Sequence, residues 1–334
     1  MTPPDGPSAG ADVAFGVDIG GTKVLGVALG TSDRVVAEAR VSTPGASAGD
    51  GGHAVAEAVA AVVAQLDQAV GAHGARPAVG VGAPGMLDRQ GRLRFAPNLP
   101  QAHGLDWRQL IGQRLPGRTI LIENDANFAA LAEHRLGAAQ GYQHVVMVTL
   151  GTGIGGGLVV DGRVQVGGHG FAGEIGHMVV DPAGPPCPCG RRGCWERYAS
   201  GGGLGVLARE AALAGRLPAV VAVSGGDPES VRGEDVSAAA VGGDPDARRV
   251  VQEVGWWVGF GLANLACVLD PQCVVLGGGL VSAGDLLLDA ARAAFAELVE
   301  GGATRPETVI VTAAFGERAG AVGAALAARH GGLW

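Results

Sequence analysis

Lysine is almost missing from this chain of 334 residues: Lys23 is the one example, against a background of arginine. That balance reflects a coding bias toward GC-rich codons, so the Arg and Ala content says little about function. A lysine kept inside a glycine loop hints at a local need. Basic runs are absent too, and the formal net charge is −8, which argues against the Lys- and Arg-lined surface that nucleic-acid phosphates require. Long apolar runs are also lacking. The best candidate, Trp256 to Leu269, is about fourteen residues, short of the roughly 20 a bilayer needs, and Asn264 interrupts it. It reads as a buried helix. Residues 1–12 are rich in Pro, Gly and Ser without a basic start or an apolar core, so a disordered tail is expected rather than a signal peptide, and the location is expected to be cytoplasmic. What remains is a globular chain whose 47% hydrophobic content fills two cores without disulfides.

Cysteine is scarce and unevenly placed. There are five, an odd number, and Cys187, Cys189 and Cys194 crowd together downstream of His177, which favours a metal over a bridge framework. One imidazole and three thiolates form a closed tetrahedral set for Zn²⁺, with no fourth position for water, so the metal is expected to be structural. Glu174 and Glu196 flank the ligands. Folding the chain around one ion would bring these carboxylates together, an arrangement suited to a polyhydroxylated ligand. The plainer alternative is a zinc knuckle that only staples a loop. Cys267 and Cys273 read as ordinary buried thiols.

The pattern along the chain repeats. Val13 to Asp18, Lys23 to Leu29 and Val35 to Val41 predict a three-stranded meander, followed by a helix over Ala54 to Val70 and a strand over Ala78 to Gly82. His144 to Leu150, Ile154 to Val160 and Arg163 to Val166 predict a second meander, and a long helix over Asp246 to Leu269 leads into a strand at Cys273 to Leu276. Two copies of a β-β-β-α-β unit imply two α/β lobes with a cleft between them. In each copy the first hairpin is nearly free of side chains: Asp18-Ile-Gly-Gly-Thr-Lys23 in one, Gly151 to Gly157 in the other. Backbone N–H groups of such turns can cradle phosphate. Either alone is ordinarily just a tight hairpin; the pair fits a nucleoside triphosphate. Neither matches the dinucleotide fingerprint, since each joins strand to strand. Residues 216–246 carry Gly, Ser, Asp and Pro with little apolar periodicity, and a surface excursion is expected there.

Asp18 to Lys23, Gly82-Ala-Pro-Gly85, Glu123-Asn-Asp-Ala-Asn127, Gly151 to Gly157, Glu174 to His177 and the Cys187 to Glu196 cluster occur in the order seen in the ROK family, which contains sugar kinases and sugar-responsive repressors. Over about residues 13–330 the chain resembles that family, and within it the actinobacterial type of glucokinase. The resemblance implies an actin-like, ribonuclease-H-like fold with a zinc-binding insertion, residues 13–122 plus 317–334 forming a small lobe and 123–316 a large one. It implies ATP-dependent phosphorylation of the glucose 6-hydroxyl, with Asp125 as general base. The residue pattern alone offers Asp125 as a helix N-cap before Ala126 to Leu136. Sugar contacts implied are Gly85, Asn98, Asn124, Asp125, Glu174, His177 and Glu196, with His177 both ligating Zn²⁺ and meeting a hydroxyl; Asn98 alone reads as a turn residue. For ATP and Mg²⁺ the resemblance implies Asp18, Gly20, Gly21, Thr22, Lys23, Thr152 and Gly153, with Gly277, Gly278 and Gly279 against the adenosine. The last three read otherwise as a strand-to-helix turn.

Other readings stay open. N-acetylmannosamine, N-acetylglucosamine, mannose and fructose rival glucose, and polyphosphate rivals ATP. A repressor is disfavoured because no helix-turn-helix segment is legible before Asp18, and an inactive sugar-binding module because the phosphate loops and Asp125 are intact. A homodimer or homotetramer is expected, with no nucleic-acid or membrane partner.

Overall fold

The computed structural model describes residues 13–45, 52–71, 76–96 and 102–333. They form two compact units. The first holds the described residues up to Gln143 with Gly157–Gly173 and the segment from Ala313 onward, and the second holds His144–Gly156 and Glu174–Thr312.

The first stretch of chain runs β1 (Ala14–Ile19), β2 (Lys23–Leu29), β3 (Val35–Ser42), α1 (His53–Val70), β4 (Val79–Ala83), β5 (Met86–Leu87), β6 (Leu93–Phe95), α2 (Trp107–Gly112), β7 (Ile120–Asn124) and α3 (Asp125–Arg135). The second runs β8 (Val145–Leu150), β9 (Ile154–Val160), β10 (Arg163–Val164), α4 (Glu196–Ala199), α5 (Gly201–Leu213), α6 (Pro218–Val223), α7 (Gly233–Val241), α8 (Pro245–Leu269), β11 (Cys273–Gly277), α9 (Asp285–Leu298), β12 (Val309–Thr312) and α10 (Ala319–His330). Two five-stranded sheets result, ordered β3-β2-β1-β4-β7 and β10-β9-β8-β11-β12. In each an antiparallel meander is extended by two parallel strands, which is the duplicated unit read from the sequence and the ribonuclease-H-like topology that the family resemblance implies.

The first sheet is covered on both sides. One cover is α1, whose Val55, Val59, Val62, Val63 and Leu66 recur at helical spacing and are buried. The other is α10, a helix of small residues whose whole run from Ala319 to Ala328 is buried. Small side chains let α10 lie almost on the backbone of its neighbours: a Cβ built on Gly16 would stand 1.9 Å from the Ala321 carbonyl oxygen, and one on Gly80 2.0 Å from that of Ala324. Against α3, a Cβ on Gly323 would stand 1.8 Å from the Phe128 oxygen. In the second unit α8 packs on α9 by the same device, with Gly259 facing the Ala291 carbonyl.

Residues 216–246 differ from the surface excursion expected. They contain α6, α7 and the capped start of α8, where the Asp244 side chain accepts from the Asp246 and Ala247 N–H groups. Only Leu217, Val220, Val231, Val236 and Ala240 anchor the stretch before α8, too few and too irregularly spaced to show a helical period. Among the described residues no helix is long and apolar enough to cross a membrane.

Gly323→Ala drives a methyl group into the α3 backbone and should cost about 1–3 kcal/mol of stability, as overpacking does. Gly112→Ala, where a Cβ meets nothing within 4 Å, should leave the denaturation midpoint unchanged; equal behaviour of the two variants would refute this packing.

Candidate active site and metal centre

In the first unit two carboxylates converge over a glycine. Asp18 sits near the end of β1, paired in parallel register with Gly82 of β4, and Asp125 opens α3. A Cβ on Gly82 would lie 3.3 Å from both Asp18 Oδ1 and the Asp125 Cα, and one on Gly320 of α10 only 2.9 Å from the Asp18 carboxyl carbon. Glycine at these positions is what allows the groups to meet. Asp18 Oδ1 is buried without a hydrogen-bond partner. Burial, and then the charge of Asp125, push the Asp18 carboxyl well above the usual carboxylate range, against a smaller downward pull from Lys23. Burial likewise raises Asp125, partly offset by the Ala126 N–H, which donates to its Oδ1 at 2.9 Å. A buried acceptor with no donor suits a hard cation held by carboxylate and phosphate oxygens, so Asp18 fits the Mg²⁺ role.

The helix N-cap is Asn124, one residue earlier than the alternative reading of Asp125 had it. Its Oδ1 accepts from the Ala126 and Asn127 N–H groups, and its Nδ2 donates to the Gly85 carbonyl at 3.2 Å. With Asn124 as the cap, the Asp125 carboxylate meets the Ala126 N–H through Oδ1. Gly85 has φ of 97°, and a Cβ there would stand 2.5 Å from the Phe95 oxygen; only glycine accepts both constraints. Asn98 lies outside the described residues. The turn of Gly20, Gly21 and Thr22 is closed by the Gly20 N–H donating to the Lys23 carbonyl at 2.9 Å and by the Thr43 hydroxyl donating to the Gly20 carbonyl at 2.7 Å. Lys23 pairs with Glu317, which also meets Arg40 at 3.4 Å.

In the second unit the ligand atoms of His177, Cys187, Cys189 and Cys194 all lie within 4.8 Å of one another. Cys189 and Cys194 Sγ are 3.5 Å apart, and Cys187 Sγ is 3.8 Å from His177 Nδ1. Bonds of about 2.3 Å in a tetrahedron put sulfurs about 3.8 Å apart, so the four groups fit one zinc-sized ion. The turn is built for it: Gly190 at φ 88° returns its N–H to the Cys187 carbonyl, and the Cys187 N–H donates to the Arg191 carbonyl. His177 shows Nδ1 to the thiols and its Nε2 lies 4.0 Å from Glu174 Oε2. Glu196 reaches from this centre to the second glycine loop, with Oε1 3.1 Å from Cys187 Sγ and Oε2 3.5 Å from the Ile154 N–H. The carbonyls of Gly151 and Thr152 accept from the Gly201 and Gly202 N–H groups, and a Cβ on Gly153 would stand 2.6 Å from Glu196. Gly278, at φ 86°, lies against the Leu150 backbone, which sets Gly277 to Gly279 beside that loop.

Several contributors are not among the site residues read from the sequence. Trp195 is fully buried, donates Nε1–H to the Trp257 carbonyl at 2.7 Å, and lies where a Cβ of Gly261 would be, fastening the metal loop to α8. Glu123 Oε1 accepts from the Asn124 N–H and the Asn127 side chain. Gly320, Glu317 and Glu133 come from sequence far from the loops they serve, and only a paired reading of α3 with α10 could have singled them out.

Two lobes on a duplicated sheet, glycine hairpins on the first strand pair of each, and a paired carboxylate beside one of them are the features of a sugar-kinase-type phosphotransferase fold. The model of the ROK family matches residues 14–330, and the chain belongs to that family. It is 37% identical over 330 residues to a glucokinase of Streptomyces coelicolor, covering 95% of this chain and 98% of that one. It is also similar to the structure of a Streptomyces griseus ROK glucokinase in complex with glucose and AMPPNP, with a TM-score of 0.84 at 37% identity and coverage of 95% and 99%. For a ROK hexokinase from Thermus thermophilus the TM-score is 0.77 at 37% identity, with coverage of 96% and 98%.

Two outcomes follow. Asp18 ionises in the folded state only at raised pH, so its contribution to stability is present at low pH and lost as pH rises above about 4, where the unfolded carboxyl ionises. Nucleotide-free Asp18→Asn should therefore match wild type in thermal midpoint near pH 4 and exceed it increasingly above; a constant difference would refute the unpaired charge. Elemental analysis should find one zinc per chain, and Cys194→Ser should abolish it; full zinc in that variant would remove Cys194 from the ligand set.

Proposed function

We propose that this chain is an ATP-dependent glucokinase, transferring the γ-phosphoryl group of ATP to the 6-hydroxyl of glucose. The observation that carries the reading is the pair Asp18 and Asp125 over Gly82: one carboxylate has a buried oxygen without a donor, the other stands at a helix start beside an Asn cap. Phosphoryl transfer passes through a loose transition state, so the protein chiefly aligns the reactants, offsets charge and accepts one proton. Asp125 takes the 6-hydroxyl proton as the sugar oxygen bonds to phosphorus and the bond to ADP breaks. Its raised proton affinity suits a base working near neutral pH. Mg²⁺, when bound with ATP, neutralises phosphate charge, and Asp18 would hold it through water. The N–H groups around Gly20, Gly21 and Thr22, with Lys23, and those of Thr152 and Gly153 would meet the phosphates, and Gly277 to Gly279 the adenosine.

Gly85, Asn98 and Asn124, together with Glu174, His177 and Glu196, would bind the sugar hydroxyls. Zinc on His177 Nδ1 would leave Nε2 for a hydroxyl and fix the tautomer that offers it. The metal would thus shape the sugar site and stay out of the chemistry. Self-association as a homodimer or homotetramer and a cytoplasmic location belong to the same reading.

A coupled assay over a panel of hexoses with Mg·ATP and polyphosphate tests it: glucose with ATP should give the highest kcat/KM, and preference for another hexose or for polyphosphate would overturn the assignment. Asp125→Asn should lose about 10²- to 10⁴-fold in kcat while keeping glucose binding; turnover within a few-fold of wild type would remove Asp125 from the role of base.

A further inference from the structure

Glu133 is buried completely, and its carboxylate is spent on backbone. Oε2 accepts from the Ala138 N–H and the Ala314 N–H, both at 2.9 Å, and Oε1 from the Phe315 N–H at 2.9 Å. Gly137 yields the room, since a Cβ there would stand 2.1 Å from Oε2. Three N–H donors converge on the two oxygens of one carboxylate, and charge-assisted bonds of this kind are about twice as strong as neutral ones. Removing one partner of such a buried set is costly.

The elements joined are the ones that carry the site. Glu133 lies on α3, two turns from Asp125 at its start. Ala314 and Phe315 lie in the turn between β12 and α10. Past them Glu317 meets Lys23 and Arg40, and Gly320 rests on the Asp18 carboxyl. A single chain path thus runs from the bonds of Glu133 to each acidic group of the phosphate end. The α3 and α10 backbones already touch at Phe128 and Gly323, which fixes their separation; sliding of one along the other is opposed by polar bonds at Glu133.

We propose that Glu133 is a positioning residue for phosphoryl transfer: by bonding the N–H groups of Ala314 and Phe315 it sets where Asp125 stands relative to Asp18. It touches neither sugar nor nucleotide. The proposal rests on the reading of Asp125 as base and Asp18 as the Mg²⁺ group, and it extends that reading to a residue outside every site motif.

Glu133→Gln turns an NH₂ group toward at least one of the three N–H donors. A misplacement on the order of 1 Å costs up to about 100-fold in rate, so kcat should fall about 10- to 100-fold while KM for glucose and for ATP stay within about three-fold. Glu133→Asp, which keeps the charge, should recover part of kcat, and it replaces the Gln variant if that one does not fold. Val62→Ala, in the α1 core of the same unit, is the control for stability alone and should keep kcat. Unchanged kcat in Glu133→Gln, or an equal loss in Val62→Ala at matched thermal midpoint, would overturn the proposal. If the wild-type protein turns over no hexose, the glucokinase reading fails and positioning is read by hydrogen exchange instead. Glu133→Gln should then speed exchange at Ala126 and Asn127 as well as at Ala314 and Phe315, and exchange confined to the latter two would show a local tie only.

Discussion

Close approach of backbones, made possible by missing side chains, is the constraint on which the first unit depends. Gly16, Gly80 and Gly323 let α10 sit on β1, β4 and α3 at distances that any side chain would forbid. Because α10 is so near, Gly320 closes over Asp18, and because α3 is so near, Asp125 comes to Gly82 of β4 beside Asp18. Burial then raises the cost of charge on both carboxylates, and the charge of Asp125 raises it further on Asp18. Two acids this close repel when both are ionised, and a cation bound with its nucleotide would offset that charge. Stability given up at a site of this kind is the usual companion of function.

The second unit solves a different problem with a different device. Here the chain from Glu174 to Glu196 has almost no regular structure, only a 3₁₀ turn at Ile175–His177. It is held by backbone bonds around Gly190 and Gly193 and by the buried Trp195 on α8, and the His and Cys groups converge within it. Glu196 links that knot to the glycine loop after β8.

Much of this was legible in the sequence, for reasons that differ by element. The meanders were visible because β-branched runs alternate with turn residues, and the ligand set because three Cys and a His of that spacing have few other uses. Asn124 and Asp125 are adjacent and equally good caps, so sequence alone does not separate them, and hydrogen-bond geometry does. The helices of residues 216–246 escaped because they bury too few apolar positions to show a period. Glu133, Glu317 and Gly320 escaped because their meaning is tertiary: each is an ordinary residue of a helix or turn until α3 and α10 are brought together.

The central claim is that Asp18 and Asp125 form a crowded acidic pair whose proton affinity the fold has raised. Carbon-13 NMR titration of the aspartate side-chain carboxyls in nucleotide-free protein measures it directly, with Asp18→Asn and Asp125→Asn spectra for assignment. Two aspartates should titrate well above the ordinary carboxylate range of about 4, and Asp125→Asn should lower the Asp18 value. Titration of every aspartate in the ordinary range would contradict the account.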